Sequence, residues 1–527
     1  MTQRRYFNTT GPCDPEMHYM LPPAERLVGA QLHRYIKDKL YWILHAPRQT
    51  GKTTFLKSWM REINAGDEAI ACYVSVERCQ GVQEAERAIP AICTAVRDYT
   101  SWSGLLVPES NDIDPLSMLG DILNNWAKLV SPKPLVVLFD EVDVLEGKTL
   151  ISFLRQLRGG FASRGVGTFP VSIVLVGMRD LKDYITAAKD GKPVNPGSPF
   201  NIKSDSAVLS NFQKKDIVRL FAQRTEETGQ QITQEALDYV YDQSKGQPWI
   251  VNSLFGRATF RVLDEENTET VTIEHIYQAR EQMIDARETH LDALAVRLDD
   301  PQIRFVLESI ISGEPNPLLA KGEPFRICID LGLVSIEDGT PQVANPIYRE
   351  VIARQMTYST QLAIPKPDWR WQADDGTLDM DGLLREFQDF WRTNSETWEQ
   401  TADYSEAFPH LLLMAFLQRV TNGYGRIERE YAAGRGRMDL AIEYNGKWDI
   451  IEIKLLRKGQ TFEKLKESGI RQVLNYRDSF SPPLCSKNGK PVNCYLIIFD
   501  RRPESSQLTW DERIQWLDGV EVTVLGC

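Results

Sequence analysis

The sequence of 527 residues predicts an α/β protein of several domains, in which two α/β blocks flank a helical middle. In the first block, up to about residue 203, short apolar runs of strand length alternate with amphipathic helical patterns. The same alternation returns after residue 401. Between the blocks, apolar residues recur three and four positions apart, which is typical of helices. We therefore expect one α/β core near the start of the sequence and a second near its end.

The first block opens with a strand, a loop and a helix in the stretch YWILHAPRQTGKTTFLKSW, residues 41–59. The loop matches the phosphate-binding consensus GxxxxGK[ST] except at its first position, where Ala46 replaces glycine. Gly51 lets backbone N–H groups close on phosphates, Lys52 can reach the β- and γ-phosphate oxygens, and the Thr53 hydroxyl can bind magnesium. The residues expected to contact ATP are Ala46, Pro47, Arg48, Gln49, Thr50, Gly51, Lys52, Thr53 and Thr54.

Two further apolar runs extend this block. The run PLVVLFDEVDVL leads a buried strand to Asp140 and Glu141, which is the Walker B pattern. Asp140 is expected to hold Mg²⁺, and Glu141 to polarise the attacking water. The next run, PVSIVLVGMRDL, is also a strand. Three arginines fit either a catalytic finger or a solvent-exposed helix surface: Arg155, Arg158 and Arg164.

The middle of the chain is predicted to be helical from residue 204 to about residue 308. A Gly-Gln-Pro turn at 246–248 interrupts it, and as a bare tripeptide it predicts only the end of a helix. Residues 302–357 predict a small winged-helix-like unit with a hairpin around Asp338-Gly339. Because this hairpin carries no Lys or Arg, we expect it to pack rather than to bind DNA. The following segment, PKPDWRWQADDGTLD, predicts a linker.

The last block reads helix, strand, strand, helix, strand. Its first strand is expected within RIEREYAAGRGRMDLAIEY, and Asn445-Gly446 turns it into KWDIIEIKLL. The other elements are the helices SEAFPHLLLMAFLQRV and FEKLKESGIRQVLNYRDSF and the strand VNCYLIIFD.

Asp439, Glu452 and Lys454 lie on these strands and predict a metal-dependent nuclease site. Glu452 and Lys454 are two residues apart and therefore share a face, and pairing through the turn can bring Asp439 beside them. Two carboxylates bind Mg²⁺ through oxygen, the metal lowers the pKa of a bound water, and the lysine offsets developing charge. Gln472, one turn before Tyr476, would face the same cleft. A plain ion pair between Glu452 and Lys454 is the alternative interpretation.

Two family resemblances follow from these motifs. The stretch FNTTGPCDPEMHYMLPPAERL followed by HAPRQTGKTT resembles AAA-like ATPases of the signal-transduction and origin-recognition-related group. That resemblance implies that Arg179, after the third strand, contacts the γ-phosphate as sensor 1, and that Pro248 in a helical lid packs near the adenine.

The C-terminal part resembles the PD-(D/E)xK nuclease superfamily. The motif maps onto Asp439, Glu452 and Lys454, with a QxxxY extension at Gln472 and Tyr476, although Met438 replaces the proline. Glu406 is the first candidate for a further acidic residue, and Glu430 the second. The resemblance implies an activity on nucleic acid, with DNA as the expected substrate, and a role in defence against foreign or mobile DNA.

These interpretations give an α/β fold: a P-loop parallel-sheet ATPase core with a helical lid and a winged-helix-like unit, then an α/β/α restriction-endonuclease-like domain. The expected division is 1–203 for the ATPase core, 204–300 for the lid, 301–360 for the winged-helix-like unit, 361–400 for a linker and 401–527 for the nuclease-like domain.

Composition agrees with a cytoplasmic protein that has no membrane segment. Apolar residues form no run of about 20, and the N-terminus has no signal-peptide core. The eight cysteines form no CxxC pair, so neither a zinc site nor a disulfide framework is expected. The net charge is −12, yet residues 401–527 carry 18 Lys and Arg against 17 Asp and Glu. This less acidic end could approach the phosphates of nucleic acid, although charge alone favours a solvated surface.

Three functions remain open from the sequence. The first is a magnesium-dependent nuclease under ATP control. The second is an ATP-dependent switch whose nuclease-like domain binds DNA or a partner without cutting. The third is a loader similar to transposition ATPases, assembling on DNA as a homo-oligomer and recruiting another enzyme. All three require ATP, and the first also requires Mg²⁺ at the C-terminal site.

Overall fold

The computed structural model describes residues 4–102, 114–163, 169–178, 203–264, 268–286, 289–311, 322–363, 373, 377–399, 409, 412–414, 416–417, 425–433, 436–444, 447–457, 459–479, 493–500, 510–515 and 520–527. Side chains at 425–433 and 436–439 lie outside this description. The chain divides into two compact units, Met1–Ala279 with Ile329–Leu333, and Arg280–Cys328 with Val334–Cys527. The five-part division expected from the sequence stays a prediction. Of the helices described, none combines the length and apolarity that crossing a bilayer requires.

The first unit is built on a six-stranded sheet. Its strands are β1 Leu27–Val28, β2 Tyr41–His45, β3 Ile70–Ser75, β4 Leu135–Asp140, β5 Ser172–Gly177 and β6 Lys203–Leu209. Their order is β1-β6-β2-β5-β4-β3, and all neighbours are parallel except the edge pair β1–β6. Parallel strands end at a common edge, so the residues that follow β2, β4 and β5 come together there.

Helices cover both faces of this sheet, which is why its central strands are apolar along their whole length. One face packs against α3, α4 and α5 through residues such as Ile89, Trp126 and Phe153. The other packs against α1 and α2 through residues such as Tyr35 and Phe55. The helices are α1 Leu32–Lys37, α2 Lys52–Ala65, α3 Ala85–Trp102, α4 Pro115–Val130 and α5 Gly147–Ser163.

Four helices follow β6, as the 3.6-residue pattern predicted. They are α6 Lys214–Thr228, α7 Gln234–Ser244, α8 Pro248–Arg257 and α9 Ile273–Asp285. Side chains cap two of them: Thr233 Oγ1 accepts from the N–H of Ala236, and Gln247 Oε1 accepts from the N–H of Ile250.

A small helical unit with a hairpin comes next. Its elements are α10 Thr289–Val296, α11 Pro301–Ile311, α12 Glu323–Asp330, β7 Val334–Glu337, β8 Thr340–Val343 and α13 Pro346–Ala363. Asp338 and Gly339 have φ angles of 49° and 78° between the antiparallel strands. Two consecutive left-handed residues are what a two-residue hairpin requires, so the predicted hairpin is confirmed.

A second six-stranded sheet forms the core of the C-terminal part. Its strands are β9 Gly425–Ala433, β10 Gly436–Tyr444, β11 Lys447–Leu456, β12 Asn493–Asp500, β13 Trp510–Gln515 and β14 Glu521–Gly526. The order is β13-β14-β12-β11-β10-β9, with parallel pairing from β11 through β12 to β14. Helix α15, Phe462–Ser479, packs on β11 and β12.

The structure differs from the sequence prediction at β9 and β10. The stretch expected to hold one strand holds two antiparallel strands, with Gly436 paired to Ala433. Two glycines flank Arg435, and glycine is favoured where a chain must reverse tightly. The sequence therefore carries a turn signal inside the stretch for which one strand is predicted. The strands β13 and β14 were also not predicted.

A helix, α14 Met380–Glu399, occupies much of the expected linker 361–400. Its buried side chains Leu383, Phe387 and Trp391 follow helical spacing. The ring centroids of Trp391 and Phe499 of β12 lie 4.7 Å apart. The Pro- and Asp-rich residues before this helix obscured the amphipathic pattern that begins after them.

Candidate functional sites

The phosphate-binding loop, residues 46–51, joins β2 to α2. Gly51 has φ 94°, in the left-handed region that glycine favours, and α2 begins directly after it at Lys52. The Lys52 ammonium donates to the carbonyl oxygens of Ala46 at 2.8 Å and Pro47 at 2.9 Å. Burial lowers the pKa of Lys52, opposed by the charges of nearby carboxylates. The lysine is therefore held at the loop itself, where it can contact phosphate oxygens.

Asp140, at the end of β4, contacts the start of α2. Its Oδ2 accepts from Thr53 Oγ1 at 2.7 Å and from the Tyr73 hydroxyl at 3.0 Å, and its Oδ1 accepts from the N–H of Glu141 at 3.0 Å. Mg²⁺ prefers hard oxygen ligands, and a hydroxyl adjacent to a carboxylate supplies two of them. The donor set of Thr53 and Asp140 therefore fits a magnesium ion.

Glu141 follows Asp140 in a left-handed conformation with φ 59°, and its side chain lines the same cavity as the loop. Its pKa is raised from 4.5 to about 7, first by burial and then by the charges of Asp140 and Asp143. A carboxylate with a pKa near neutrality suits a general base, because it can both accept and release a proton at physiological pH.

A cavity of about 490 Å³ lies beside the loop. Its walls come from the N-terminal segment, the loop with the start of α2, and helix α8. Eight predicted residues line it: Arg48, Gln49, Gly51, Lys52, Thr53, Thr54, Glu141 and Pro248. Of the three remaining predicted loop residues, Ala46 and Thr50 are buried and Pro47 is half-buried. A volume of this size is ordinary for a small-molecule site.

The Gly-Gln-Pro turn at the start of α8 reaches this cavity through Pro248. Gly246 has φ 74°, and a Cβ placed on it would lie 1.9 Å from the carbonyl oxygen of Phe212, so only glycine fits there. The N–H of Phe212 donates to the Gly246 carbonyl at 2.8 Å. This tight backbone contact fixes where Gln247 and Pro248 stand relative to the sheet.

The predicted arginines are distributed differently. Arg179 and Arg164 lie outside the described residues, although Met178, directly before Arg179, lines the cavity. Arg155 and Arg158 are exposed on α5 and do not line it. Neither of those two is placed at the cavity of this unit.

The sequence analysis missed two charged residues near the loop. Asp143 lies in the short 3₁₀ turn Val142–Val144, and its buried Oδ1 has no hydrogen-bond partner among the described residues. Arg26 lines the cavity and donates to the carbonyl oxygen of Thr50. The only signal for Asp143 was a third acidic residue two positions after Glu141. Nothing in the sequence separates Arg26 from a surface arginine.

The C-terminal site lies on β11 and α15. Lys454 Nζ donates to Glu452 Oε1 at 2.7 Å and to Gln472 Oε1 at 2.8 Å. Gln472 Nε2 donates to the Tyr476 hydroxyl at 2.6 Å. Glu452 is 1% exposed, whereas the Lys454 side chain is 22% exposed. The structure therefore connects these four predicted residues in one hydrogen-bonded chain, with the lysine at its centre.

The pairing of β10 with its two neighbouring strands gives the backbone positions of Asp439 and Glu430, whose side chains lie outside the described part of the structure. Leu440 of β10 pairs with Ile451 of β11, so continuing this register by one residue sets Asp439 opposite Glu452. On the other side of β10, the pairs on either side of Asp439 set it opposite Glu430 of β9. Glu406 lies outside the described residues.

The described residues contain no group of three or more His, Cys, Asp or Glu that could hold a metal ion. Of the two predicted C-terminal ligands, only Glu452 has a described side chain. Its buried carboxylate is a hard oxygen donor and fits Mg²⁺ in chemistry.

Comparison with known proteins found a family match within the C-terminal part of the chain. Residues 404–506 match the family PD-(D/E)XK nuclease superfamily. The chain is 28% identical over 123 residues to the ribose import ATP-binding protein RbsA 3 of Rhizobium meliloti, a match that covers 22% of this chain and 24% of that protein. The chain thus matches about a quarter of the length of this relative.

Two solved structures resemble the chain at low sequence identity. The Walker-type ATPase PABY2304 of Pyrococcus abyssi is 13% identical, with a TM-score of 0.47, over 66% of this chain and 99% of that one. The ORC2 protein of Aeropyrum pernix, solved as ADPNP–ADP complexes, is 13% identical, with a TM-score of 0.39, over 62% of this chain and 91% of that one.

Proposed function

We propose that this chain, which joins a P-loop ATPase fold to a domain of the PD-(D/E)XK nuclease superfamily, binds and hydrolyses ATP and cleaves DNA in a magnesium-dependent reaction under nucleotide control. The observation that carries the nuclease proposal is the double contact of the Lys454 ammonium with Glu452 and Gln472 inside the matched segment. The contact between Thr53 and Asp140 supports the ATPase proposal in the same way.

At the N-terminal site, the loop N–H groups and Lys52 would hold the phosphates of ATP. Thr53 and Asp140 would hold Mg²⁺, which when bound neutralises charge on the phosphate oxygens. Glu141 would accept a proton from the attacking water, a role that its pKa of about 7 supports. Arg179 remains a proposal for the γ-phosphate contact and Pro248 for the adenine contact.

At the C-terminal site, Glu452 and Asp439 would hold Mg²⁺, which when bound supplies a water of lowered pKa as nucleophile. Lys454 would orient that water or offset the charge that develops on the scissile phosphate. Gln472 holds the lysine by its side-chain oxygen and is itself held by Tyr476. Gln472 therefore acts by fixing the lysine.

The register supports Asp439 as the second acidic residue. Residues directly opposite each other in an antiparallel pair share a face of the sheet, and the continued register sets Asp439 opposite Glu452. Glu430 occupies the next position in the same row, which supports it as a further acidic residue. The family resemblance additionally suggests foreign or mobile DNA as the substrate.

A second candidate function is an ATP-dependent switch with a non-cutting C-terminal domain. The ion pair of Lys454 and Glu452 favours it, because a lysine and a buried carboxylate 2.7 Å apart also satisfy one another structurally. Binding of Mg²⁺ or Mn²⁺ that depends on Glu452 would separate the two functions in favour of cutting.

The test is a cleavage assay with the full chain on duplex DNA, single-stranded DNA and RNA, with Mg²⁺ or EDTA, and with ATP, ADP or no nucleotide. We expect duplex DNA to be cut only with Mg²⁺. Lys454→Ala should reduce the rate by about 100-fold, since it removes a preorganised charge at the reacting phosphate. Lys464→Ala is the matched control, because this exposed lysine lies near the start of α15.

Lys52→Ala should remove the effect of ATP on cleavage without changing the protein's folded state. Cleavage by Lys454→Ala and Glu452→Gln at the wild-type rate would refute the nuclease proposal. If Lys52→Ala and Asp140→Asn both still bound ATP, the ATPase proposal would be refuted.

A further inference from the structure

Arg26 is a buried cation that neither proposed reaction uses. It ends the 3₁₀ turn Pro23–Arg26, and only 8% of it is exposed. Its guanidinium donates through Nη2 to the Thr50 carbonyl at 2.8 Å and through Nη1 to the Ser210 carbonyl at 2.9 Å. Neither acceptor is a carboxylate. Burying a charge whose hydrogen-bond acceptors are neutral is costly even with the charge of Asp216 nearby, so the position of Arg26 calls for a reason beyond packing.

The contact with Thr50 fixes one peptide of the phosphate-binding loop. In a planar trans peptide the carbonyl and the next N–H point in opposite directions. The one cis peptide among the described residues is Ser131–Pro132, so the Thr50–Gly51 peptide is trans. Because Arg26 holds the Thr50 carbonyl on its own side, the Gly51 N–H must point to the opposite side. A Cβ on Gly51 would lie 2.9 Å from Arg26 Nη2, so a larger residue would displace the guanidinium.

Arg26 also contacts the segment between β6 and α6, which leads into the predicted helical lid, through both its backbone and its guanidinium. The N–H and the hydroxyl of Ser210 both donate to the Arg26 carbonyl, at 3.0 Å and 2.8 Å. The guanidinium carbon stands 4.9 Å from the centre of the Phe212 ring. Phe212 in turn contacts Gly246, two residues before the start of α8. One side chain thus connects the phosphate-binding loop to the turn that opens α8.

We infer that Arg26 is a positioning residue that orients the Gly51 N–H toward the nucleotide phosphates and couples occupancy of the loop to the position of helix α8. This inference rests on the proposed ATP binding. Phosphates bound to the loop N–H groups polarise the Thr50 carbonyl and so strengthen its hydrogen bond to Arg26. The same guanidinium also donates to the Ser210 carbonyl, so the effect reaches that segment. By linkage, a lid held in place raises the affinity of the loop for phosphate.

The test compares Arg26→Gln and Arg26→Lys with a matched control, Arg219→Gln. Arg219 is a half-exposed arginine of α6 whose partners are Glu25, the residue next to Arg26, and Asp216 of the same helix. Calorimetry gives the dissociation constant for ADP, and hydrogen exchange follows peptides that cover residues 46–60 and 248–257 with and without saturating ADP.

In the wild type, ADP should slow exchange in both peptides. Arg26→Gln should weaken ADP binding by about tenfold, the range for one charge-assisted hydrogen bond, and at saturation should lose the slowing in 248–257 only. Arg26→Lys, which keeps the charge but lacks the fork that serves two carbonyls, should lie between. Arg219→Gln should match the wild type in both measurements.

The inference is overturned if Arg26→Gln binds ADP within twofold of the wild type and still slows exchange in 248–257. It is also overturned if ADP leaves 248–257 of the wild type unchanged, a result that needs no folded variant. Wild-type protein that binds no ADP at all overturns the ATPase proposal together with this inference. If the wild type binds ADP and Arg26→Gln behaves like the wild type in both measurements, only this inference is overturned.

Discussion

The ionisation of Glu141 predicts how the stability of the protein depends on pH. Its carboxyl has a pKa of about 7 in the folded protein against an ordinary value of 4.5, because it is buried beside Asp140 and Asp143. The folded state therefore binds more protons than the unfolded state between these two values. It follows that the protein loses stability as pH rises from 4.5 to 7, and that the full cost of the charged form is present above pH 7.

The size of this cost follows from the shift. The rise of the Glu141 pKa from 4.5 to about 7 corresponds to roughly 3 kcal/mol of stability, as an upper limit that relaxation of the site would reduce. Glu141→Gln removes the charge and keeps the shape. In the absence of nucleotide the variant should melt a few degrees above the wild type at pH 8, and the difference should shrink at pH 5.

The same ionisation should control ATP hydrolysis. The pH dependence of kcat/KM reports the free enzyme, so the ionised fraction of Glu141 predicts about a tenfold rise in kcat/KM for ATP from pH 6 to pH 8. The assay is phosphate release at fixed free Mg²⁺, with ADP binding over the same pH range as the control. A flat kcat/KM profile, or a Glu141→Gln variant less stable than wild type at pH 8, would refute this reasoning.

Two further substitutions test the geometry of each site. Gly246→Ala would place a methyl group 1.9 Å from the Phe212 carbonyl oxygen and should weaken ADP binding by at least about tenfold. Gly229→Ala is the control, because Gly229 has a similar φ of 79° but open space around it. This control should lose about 1 kcal/mol of stability and bind ADP like the wild type. Equal ADP affinities in calorimetry would contradict this. Gln472→Ala should slow DNA cleavage by roughly tenfold at saturating Mg²⁺, since Lys454 loses a 2.8 Å contact, and wild-type cleavage rates would contradict it.

The strands β2, β4 and β5 of the first sheet were predictable because their surroundings leave little choice, whereas β1, β3 and β6 were not predicted. A parallel strand covered by helices on both faces must be apolar along its length, and the runs leading to His45, Asp140 and Gly177 are. Parallel pairing then brings the ends of these strands to one edge of the sheet. Local pattern and global fold agree at these three strands, so the sequence alone is sufficient to predict them.

The C-terminal block was less predictable for two physical reasons. The sequence Gly-Arg-Gly between β9 and β10 is a weaker turn signal than Asn445-Gly446, so the sequence predicts one strand where the structure has two. Helix α14 follows residues whose composition is typical of a linker, although Leu383 and Phe387 reveal its buried face. The pattern of Asp439, Glu452 and Lys454 was recognisable because the spacing within β11 and the Asn-Gly turn constrain it directly.

Arg26 and Asp143 show what the sequence does not contain. The charge of a side chain can be read from its letter, but its burial depends on contacts made across the fold. Arg26 reaches Thr50 and Ser210, which are 24 and 184 residues away along the chain. Asp143 lies near Gly177 of β5, and the two meet only because β4 and β5 are neighbours in the sheet.

The N-terminal segment has a practical consequence for dissecting this protein. Thr9 accepts a hydrogen bond from the Trp249 indole at 3.0 Å, and the N–H of Cys13 donates to Thr54 at 3.0 Å. A truncated chain that started at Tyr41 would retain every Walker residue and still lose the N-terminal residues that line the cavity beside the phosphate-binding loop. A fragment bounded by the recognisable motifs alone would therefore lack part of this cavity, and its failure to bind nucleotide would not be evidence against the motifs.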